Sequence, residues 1–298
     1  MVQGYALVGP RQAQATGYER HEDRWSRGAL NGVTVLHQRD SRPYPFTMTT
    51  PKGKRQGRAL DLVLPVYNEE RDLPRSVATL LDWLPANLAL PWRITIADNG
   101  STDGTLAVAQ ALAKEYPEVG VVHIPEKGRG RALKQVWLES DADILAYMDI
   151  DLSTDLAAFP ALVEAIAEGG ADVATGSRLA RGAQTRRSLK REIISRGYVL
   201  LIRFLMRTHF TDAQCGFKAI SRDAAQAILP LMQDHFWFFD TELLVIAEKG
   251  GFRVAEVPVT WVEDPDTRVQ ILRTIVQDLR GLLRLLWTRP WARRALHP

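Results

Sequence analysis

Acidic side chains follow a short apolar run near the middle of the chain, where Asp149 and Asp151 come directly after Ile144–Met148. In an extended segment, residues two apart point to the same side, so we expect both carboxylates to face one point in space. Two carboxylates repel each other unless a cation lies between them, and Mg²⁺ and Mn²⁺ prefer such oxygen ligands. The pattern therefore predicts a divalent-metal site. A surface turn with helix-capping aspartates is the alternative, because Ser153 and Asp155 also suit the start of a helix.

A second polar cluster, residues 98–104, follows the apolar run at residues 93–97 and contains two glycines among small hydroxyl and acidic residues. Glycine adopts positive φ readily and lets the backbone approach a ligand closely. We therefore expect Asp98 to accept hydrogen bonds from a nucleobase or a ribose. The alternative is a plain turn that leads into a helix capped by Asp103.

A third cluster, residues 126–130, adds positive charge through Lys127 and Arg129, and Arg131 follows it directly. The cluster lies at the start of a predicted helix, and helix N-termini attract anions. These side chains are therefore candidates for binding phosphate oxygens. A solvated basic loop without a ligand is the alternative interpretation.

The polar clusters are positioned by a regular alternation of strand and helix patterns that begins at Leu60. Short apolar runs, typical of buried strands, alternate with segments of helical spacing. The predicted strands are Leu60–Val66, Arg93–Ala97, Val119–Ile124, Ile144–Met148 and Asp172–Thr175, and the predicted helices are Glu69–Trp83, Asp103–Tyr116, Gly130–Glu139 and Leu156–Glu168. This alternation predicts an α/β fold with a parallel sheet covered by helices on both faces. Such sheets bind ligands at the carboxyl ends of their strands, where the polar clusters lie.

The bulk properties of the chain set the limits of these interpretations. It has 298 residues, 46% of them hydrophobic, and a formal net charge of +3, which suits one large α/β domain or two small ones. Its single cysteine, Cys215, excludes an intramolecular disulfide and fits a reducing compartment. No apolar stretch approaches the roughly 20 residues that span a bilayer, so we expect no transmembrane helix.

The first part of the chain differs from the rest. It is rich in Gly, Arg, Gln, Thr and Pro and shows no sustained periodicity, so we expect residues 1–58 to be disordered. Met48 begins a basic stretch immediately before the first predicted strand. It is therefore a candidate for the true first residue, a hypothesis that mass spectrometry of the native N-terminus would test.

A series of ordered motifs connects the polar clusters to a known family. The motifs are LVLPVYNEE, ADNGSTDGT, KGRGRALKQ and MDIDLSTD, followed by Gly176–Arg178, Thr211–Lys218 and Trp237–Leu243. In this order and spacing, the chain resembles family 2 glycosyltransferases of the GT-A fold, which has a Rossmann-like, mostly parallel sheet with helices on both faces. The segment DAQCGFK resembles the branch of dolichyl-phosphate or polyprenyl-phosphate β-glucosyltransferases. The resemblance runs from about Leu60 to about Arg268, and it implies a GT-A domain over residues 59–265.

The resemblance implies an inverting transfer of a hexose from a nucleotide sugar, UDP-glucose in this branch, to a polyprenyl phosphate, with Mg²⁺ or Mn²⁺ as the cofactor. The implied donor-binding residues are Pro65, Tyr67, Glu69, Asp98, Lys127 and Asp149. The implied metal ligands are Asp149 and Asp151, and the implied catalytic set is Asp151, Arg178, Asp212 and Lys218. In that set Arg178 and Lys218 would contact phosphate oxygens, and Asp212 would lie near the reacting centre. Cys215 belongs to the same motif, but we expect it to pack rather than react.

The chemistry of such a transfer agrees with those residue types. Cleavage of the sugar–phosphate bond leaves negative charge on the diphosphate, which a metal ion and fixed cationic side chains stabilise. The attacking phosphate monoester has a second pKa of roughly 6, so it is largely deprotonated at neutral pH. A strong general base is therefore less necessary, and we expect Asp212→Asn to lose less activity than Asp149→Ala.

Three alternatives stay open at this point. The donor could be UDP-N-acetylgalactosamine or GDP-mannose, because these sugars differ from glucose only in hydroxyl orientation, in one substituent, or in both. The acceptor could be a non-lipid molecule. The protein could also bind a sugar nucleotide without catalysis, although the acidic and basic residues of the motifs speak against that.

Two basic and apolar segments favour a lipid acceptor. Between Arg178 and Arg207 the chain has nine Lys or Arg residues and one acidic residue, interleaved with apolar side chains. From Thr267 to Arg294, apolar residues recur at helical spacing beside seven arginines, one acidic residue and two tryptophans near the end. Such helices suit an interface with anionic head groups, so residues 266–298 are predicted to form a membrane-interface helix. Packing of that helix on its own domain or in a dimer is the alternative.

These expectations define the partners and the location. We expect a peripheral protein on the cytoplasmic face of a membrane, anchored by its amphipathic helices or by a separate small membrane protein. We expect no nucleic-acid partner, because the sequence contains no recognised nucleic-acid-binding motif.

Overall fold

The computed structural model describes residues 58–186, 189–262 and 271–293. Its strands are β1 Leu60–Val66, β2 Trp92–Asn99, β3 Val119–Ile124, β4 Ile144–Met148, β5 Val173–Ser177, β6 Gln184–Arg186, β7 Phe217–Ser221, β8 Val254–Pro258 and β9 Thr260–Val262. Its helices are α1 Leu73–Asn87, α2 Thr105–Glu115, α3 Arg129–Glu139, α4 Phe159–Ala167, α5 Leu189–Met206, α6 Arg222–Ile228, α7 Phe239–Lys249, α8 Ile271–Thr288 and α9 Pro290–Arg293. The predicted α/β class is confirmed.

Seven strands form one sheet in the order β3-β2-β1-β4-β7-β5-β8. The four strands β1 to β4 are mutually parallel where they pair, and β5 is parallel to β8. Strand β7 lies between β4 and β5 and runs antiparallel to both. The sheet is therefore mostly parallel, as expected of the GT-A fold, with one reversed strand that the strand–helix alternation alone did not predict. Strands β6 and β9 form a separate two-stranded sheet.

The strands of the large sheet are buried because helices cover both of its faces. All seven residues of β1 are buried, and so are all five of β4, which explains their mostly apolar sequences. The one charged residue, Asp61 of β1, pairs with Arg93 at 2.6 Å. On one face Trp137, Tyr147 and Phe239 form the centre of the core, and their rings lie 5.7–6.1 Å apart. On the other face Phe159 packs edge-on against Phe217 at 5.7 Å. The predicted covering of both faces is confirmed.

The first helix begins later than its apolar spacing predicts. Helix α1 starts at Leu73 rather than Glu69, with a proline at its first turn. The intervening residues form turns instead, because Asn68 has a φ of +57° and the Glu69 N–H donates to the Thr105 hydroxyl at 2.8 Å. The delay leaves residues 67–70 at the edge of the sheet rather than in the helix.

Helix α8 packs against α5 and α7 through one face and exposes a second apolar face. Leu282 and Leu285 are buried in the core, so the alternative that this helix packs on its own domain holds for its inner face. The outer stripe of α8 is exposed, from 40% at Leu279 to 90% at Trp287, and consists of Val276, Leu279, Leu283 and Trp287. Leu200 and Phe204 of α5 are also exposed, at 63% and 82%. No helix of the described residues is long and apolar enough to cross a bilayer.

Two predictions about the chain ends fall wholly or partly on other residues. The expected disorder of residues 1–58, including the hypothesis about Met48, lies outside the described residues except for Arg58. The predicted interface helix at 266–298 is described as α8 and α9 over residues 271–293.

Candidate active site

The polar clusters meet at one edge of the large sheet, where strands β1, β2, β3 and β4 end. Val66 and His123 both pair in register with Asp98, so the loops that follow these strands begin side by side. Asn99 ties three loops together: its amide donates to the Val66 carbonyl at 2.6 Å, and its carbonyl accepts from the Gly128 N–H at 3.1 Å. Because β7 is antiparallel, its first residue pairs with Met148 and brings the preceding segment to the same edge.

Asp98 lies at the bottom of this edge with no exposed surface. One of its carboxylate oxygens accepts from the Ser101 N–H at 3.3 Å, and the other lies 2.6 Å from Nδ1 of His123. His123 is 43% exposed and therefore covers Asp98 from the solvent side. Gly100 permits the turn that follows Asp98, since it has a φ of +77° and an added Cβ would lie 2.9 Å from the Pro125 carbonyl oxygen.

The other predicted donor-binding residues surround Asp98. Pro65 is buried in β1, whereas Tyr67 and Glu69 are partly exposed just beyond the strand. The exposed Lys127 places its ammonium group 3.5 Å from the centroid of the Tyr67 ring. A cation over an aromatic face is attracted by the ring's electrons, so this contact orders an otherwise mobile lysine at the edge. The structure thus places Pro65, Tyr67 and Glu69 around the residue that pairs in register with Asp98, and Lys127 against Tyr67.

The segment that carries Asp149 and Asp151 is a turn, not an extended strand. The Leu152 N–H donates to the Asp149 carbonyl at 3.2 Å, and Leu152 has a φ of +50°. The expectation that extended geometry aligns the two carboxylates is therefore wrong, because the strand ends at Met148 and the chain reverses. The capping alternative is present as well: Asp151 accepts from the Ser153 N–H at 3.0 Å, and Asp155 caps the following turn.

Asp149 occupies the centre of the edge. Its side chain is 40% exposed, and one carboxylate oxygen accepts from Nη2 of Arg129 at 2.8 Å. The other oxygen lies directly over Gly216, where an added Cβ would be 1.7 Å away. The Asp149 N–H also donates to the Gly216 carbonyl at 3.1 Å. Any side chain at Gly216 would displace Asp149, which gives a physical reason for the glycine in that motif.

Beneath Asp149 lies a buried network of charged groups. Arg129 bridges Asp149 and Asp240, with 2.7 Å to the latter, and Asp240 also accepts from the Tyr147 hydroxyl. The Lys218 ammonium lies 3.1 Å from Asp240 and donates to the Cys215 carbonyl at 2.6 Å. Burial alone would raise the pKa of Asp240, but the two cations outweigh it and hold that pKa below its usual value. Asp240 is therefore ionised at neutral pH.

The position of Lys218 differs from its predicted role. Its side chain has no exposed surface, although the resemblance implies a contact with phosphate oxygens. A direct contact would require the ammonium group to leave Asp240 and the Cys215 carbonyl. In the structure Lys218 instead supports the floor of the site.

Arg178 and Asp212 form a two-pronged ion pair at the end of β5. Arg178 donates from Nε at 2.7 Å and from Nη2 at 2.9 Å to the two oxygens of Asp212, and its backbone N–H adds a bond of 3.0 Å. Burial would raise the pKa of Asp212, but Arg178 outweighs it and holds that pKa below its usual value. Asp212 is therefore ionised and is a weak proton acceptor.

The loop that carries Asp212 is held from behind by Glu256 on β8. Oε1 of Glu256 accepts from the Thr211 N–H at 2.7 Å and from the Asp212 N–H at 3.2 Å. Cys215 in the same loop is buried, and burial raises the pKa of its thiol to about 12. The thiol is therefore neutral at physiological pH, in agreement with the expectation that Cys215 packs rather than reacts.

Several residues at the edge were missed by the sequence analysis. His123, Tyr147, Asp240 and Glu256 contact predicted site residues, yet none was named as a candidate. Asp240 lies in the motif Trp237–Leu243, which signalled the family but not the role of its aspartate. His123 could be found only once the register of β2 and β3 was known.

The fold and the acidic edge place the chain among α/β proteins of the GT-A type. Glucosyl-3-phosphoglycerate synthase from Mycobacterium tuberculosis, in complex with Mn²⁺, UDP-glucose and phosphoglyceric acid, aligns with a TM-score of 0.58 over 80% of this chain and 86% of that one, at 19% identity. The same synthase bound to UDP alone aligns with a TM-score of 0.57 at 22% identity, over 78% of this chain and 80% of that one. At these identities the likeness concerns the fold.

The family model described as "Glycosyl transferase family 2" matches residues 61–229, and the chain belongs to that family. Glycosyltransferase AglD of Haloferax volcanii is 39% identical over 78% of this chain, which spans 37% of the length of AglD. Dolichyl-phosphate beta-glucosyltransferase ALG5A of Trichomonas vaginalis is 32% identical over 71% of this chain and 68% of that protein. The Saccharomyces cerevisiae dolichyl-phosphate beta-glucosyltransferase is 27% identical over 75% of this chain and 73% of its own.

Proposed function

We propose that this protein transfers glucose from UDP-glucose to a polyprenyl phosphate, with inversion at the anomeric carbon. The observation that carries the proposal is one sheet edge that joins an exposed acidic turn at Asp149 and Asp151 to the buried Arg178–Asp212 pair. Relatives named dolichyl-phosphate beta-glucosyltransferase support the sugar and the lipid acceptor. The structures of the fold neighbour with UDP-glucose and Mn²⁺ are compatible with such a donor.

The loops after β1, β2 and β3 form the donor half of the site in this proposal. Asp98, Pro65, Tyr67 and Glu69 would contact the nucleoside. Because Asp98 has no exposed surface, its contact requires the His123 ring that covers it to move aside. Lys127 is exposed at the mouth of this half, where it would meet the diphosphate. Binding would replace its contact with Tyr67 by contacts with phosphate oxygens, which are stronger for a cation.

The two aspartates of the turn fit a divalent cation only together with the donor. Among the residues that the structure describes, no group of three His, Cys, Asp or Glu side chains could hold a metal ion. Mg²⁺ and Mn²⁺ sites with one or two carboxylates are usually completed by substrate phosphates and water, so Asp149, with or without Asp151, would serve in that setting. The cation would supply charge neutralisation for the departing diphosphate.

The acceptor half would contain Arg178, Asp212 and the loop that follows. Arg178 is a fixed guanidinium that suits the acceptor phosphate, and Asp212 and the Trp261 ring at 5.4 Å hold its orientation. A phosphate oxygen of the acceptor would form the new bond to the anomeric carbon as the bond to UDP breaks. Because that oxygen is already deprotonated near neutral pH, Asp212 does not need to act as a base.

The apolar surface of α5 and α8 supports a membrane-bound acceptor. The outer stripe of α8 exposes leucine and tryptophan side chains, and the exposed Arg280 lies on the same helix. A helix with this composition binds in the interface of an anionic bilayer. We propose that residues 59–265 form the catalytic domain and residues 266–298 dock it on the cytoplasmic face of the membrane. A small membrane protein could serve as a further anchor.

A radiolabelled transfer assay tests the proposal. Purified protein is supplied with UDP-glucose, UDP-N-acetylgalactosamine or GDP-mannose, with Mg²⁺ or Mn²⁺, and with or without vesicles that contain polyprenyl phosphate. We expect glucose in the lipid fraction only with the lipid phosphate present, as the β-anomer, and no transfer after metal chelation. Transfer to an acceptor that carries no isoprenyl phosphate, or undiminished transfer without metal, would contradict the proposal. Transfer of another sugar would correct the donor alone.

A further inference from the structure

Helix α8 reaches the catalytic loop through one side chain. Asp278 on its inner face is 3% exposed, and its Oδ2 accepts from Nε2 of Gln214 at 2.7 Å. The Gln214 N–H in turn donates to Asp212 at 3.1 Å, and Asp212 holds Arg178. Two consecutive hydrogen bonds therefore connect the helix with the exposed apolar stripe to the ion pair at the reacting centre.

An aspartate at position 278 lowers the stability of the fold rather than raising it. Burial raises its pKa to about 6, the hydrogen-bonding groups of Tyr198 and Gln214 oppose that rise, and the nearby carboxylates Asp234 and Asp240 add to it. Its second oxygen, Oδ1, is buried and has no hydrogen-bond partner within 3.5 Å among the described residues, although the Tyr198 hydroxyl is near enough to lower the carboxyl pKa. Burying a carboxylate with incomplete hydrogen bonding is unfavourable, so an apolar residue would stabilise the helix better.

Close packing holds α8 against α7 and against the residue that precedes α7. Gly281 lies against the Phe238 ring, where an added Cβ would be 2.4 Å from a ring carbon. Arg284 pairs with the fully buried Glu242 at 2.9 Å. Glu242 lies in α7, and Phe238 directly precedes this helix. Helix α7 also contains Asp240 of the buried network. Because packed interiors transmit displacements, a shift of α8 on a surface would move the groups it touches.

We propose that Asp278 is a positioning residue that couples the docking of α8 on lipid to the geometry of the loop containing Gln214 and Asp212. The inference rests on the proposed function, since it assumes transfer to a phosphate acceptor at a membrane. It adds that the lipid surface does more than concentrate the acceptor. Contact of the outer stripe with lipid fixes the position of α8. Through its hydrogen bond to Gln214, Asp278 then fixes the position of the loop that contains Asp212.

The test separates docking from activation. The acceptor is a short-chain, water-soluble isoprenyl phosphate, and anionic phospholipid vesicles without any acceptor are added separately. We expect vesicles to raise kcat of the wild-type protein severalfold. Asp278→Ala should lose that stimulation and about tenfold in kcat, while vesicle flotation and the KM for the donor stay unchanged. Asp278→Asn should restore stimulation, because its amide oxygen still accepts from Gln214.

Second variants make the test independent of folding defects. Gln214→Ala removes the other partner of the bond and should behave like Asp278→Ala, with no additive loss in the double variant. Gln277→Ala truncates the neighbouring side chain of α8 and should keep full stimulation. Thermal unfolding of each variant verifies that it is folded, and Gln214→Ala serves alone if Asp278→Ala does not fold.

The outcomes distinguish a failure of the proposed function from a failure of the proposed coupling. If no variant, including the wild type, transfers sugar to any isoprenyl phosphate, the proposed function fails. If the wild type transfers sugar but vesicles do not stimulate it, or if both Asp278→Ala and Gln214→Ala keep the stimulation, the proposed function stands and the coupling is wrong. Loss of vesicle binding in these variants would likewise overturn the coupling, because docking itself would then depend on Asp278.

Discussion

The proposed donor half and the proposed acceptor half of the site are built in different ways. In the donor half, the exposed Lys127 and the partly exposed Tyr67 project from loops and contact each other. In the acceptor half, Arg178 and Asp212 are nearly buried and are held in place by three hydrogen bonds between them. The donor half can adjust its side chains to an incoming ligand, whereas the acceptor half is fixed before any ligand arrives. Fixed charges stabilise a transition state without reorganisation, so the rigid half is the one suited to the chemical step.

Arg129 joins the two halves. It extends from the start of α3 in the basic loop, holds Asp149 at the surface and Asp240 below it, and lies 4.7 Å from the Tyr147 ring. Its guanidinium would therefore compete with a bound metal ion for Asp149, and it also holds Asp240 in the buried network below. Substitutions in the two halves should therefore separate the side chains that bind ligands from those that hold other side chains in position.

The largest effect is expected for Asp149→Ala. Without this carboxylate the metal and the donor diphosphate lose their shared contact, and we expect activity to fall by about 1,000-fold. Transfer from UDP-glucose is measured at saturating donor. Asp155→Ala is the matched control, because Asp155 is an exposed aspartate that only caps the next turn, and it should keep activity within about twofold. A loss of activity below tenfold in Asp149→Ala would contradict the proposal that Asp149 binds the metal.

Activity should depend on the shape of the side chain at position 178 as well as on its charge. Arg178→Lys keeps the charge but cannot reproduce the two-pronged pair with Asp212, so we expect about a 100-fold loss in kcat. Asp212→Asn should lose less activity than Asp149→Ala, because Asp212 holds Arg178 rather than accepting a proton. Steady-state kinetics of both variants test this order. Equal losses in Asp212→Asn and Asp149→Ala would instead indicate a general base.

The outer stripe of α8 should govern membrane binding and leave the donor half untouched. Leu283→Asp places a charge where an apolar side chain would enter the interface, and we expect vesicle binding to weaken by about 30-fold. Flotation with anionic vesicles measures the effect. Ala86→Asp on α1 introduces the same charge at another exposed position and serves as the control. Unchanged flotation of Leu283→Asp would show that α8 does not face lipid.

The pKa of Asp278 predicts a pH-dependent stability. Its folded-state pKa of about 6 lies above the usual value of 3.8, so ionisation of Asp278 at higher pH opposes folding. Asp278→Asn should therefore be about 1 to 2 kcal/mol more stable than wild type at pH 8. The difference should shrink as pH falls from 6 and vanish near pH 4. Urea unfolding at several pH values measures it, and a constant difference would mean that ionisation is not the cause.

The smallest effect concerns the competition at Asp149. Removing the guanidinium in Arg129→Gln takes away a positive charge 2.8 Å from the carboxylate, so Mn²⁺ should bind the protein alone about fivefold more tightly. Calorimetric titration of Mn²⁺ without donor gives the value, with Arg131→Gln as the control for a lost charge on the same helix. Weaker Mn²⁺ binding to Arg129→Gln would mean that Arg129 orients Asp149 rather than competing for it.

The donor half was largely predictable from sequence because its signals are local. Each of its clusters directly follows an apolar strand, and parallel strands bring such loops to one edge. The geometry of the Asp149 turn was not predictable, since the Leu152 φ of +50° and the contact with Gly216 have no sequence signature. The resemblance identified Gly216 as part of a motif, but only the structure shows which side chain it accommodates.

The acceptor half was less predictable because its contacts join distant residues. Arg129 and Asp240 are 111 positions apart, and Gln214 and Asp278 are 64 apart. Strand β7 also escaped prediction, because the buried Lys218 interrupts its apolar run and hides the strand pattern. Long-range ion pairs of this kind emerge only when the sheet order is known.

Calorimetric binding of UDP with and without Mn²⁺, to the wild type and to Asp149→Ala, tests the central claim most directly. If the aspartate turn holds a metal that bridges to the donor, Mn²⁺ should tighten UDP binding to the wild type by about tenfold or more and have no effect on the variant. Equal UDP affinity with and without Mn²⁺ in the wild type, or the same tightening in Asp149→Ala, would contradict it.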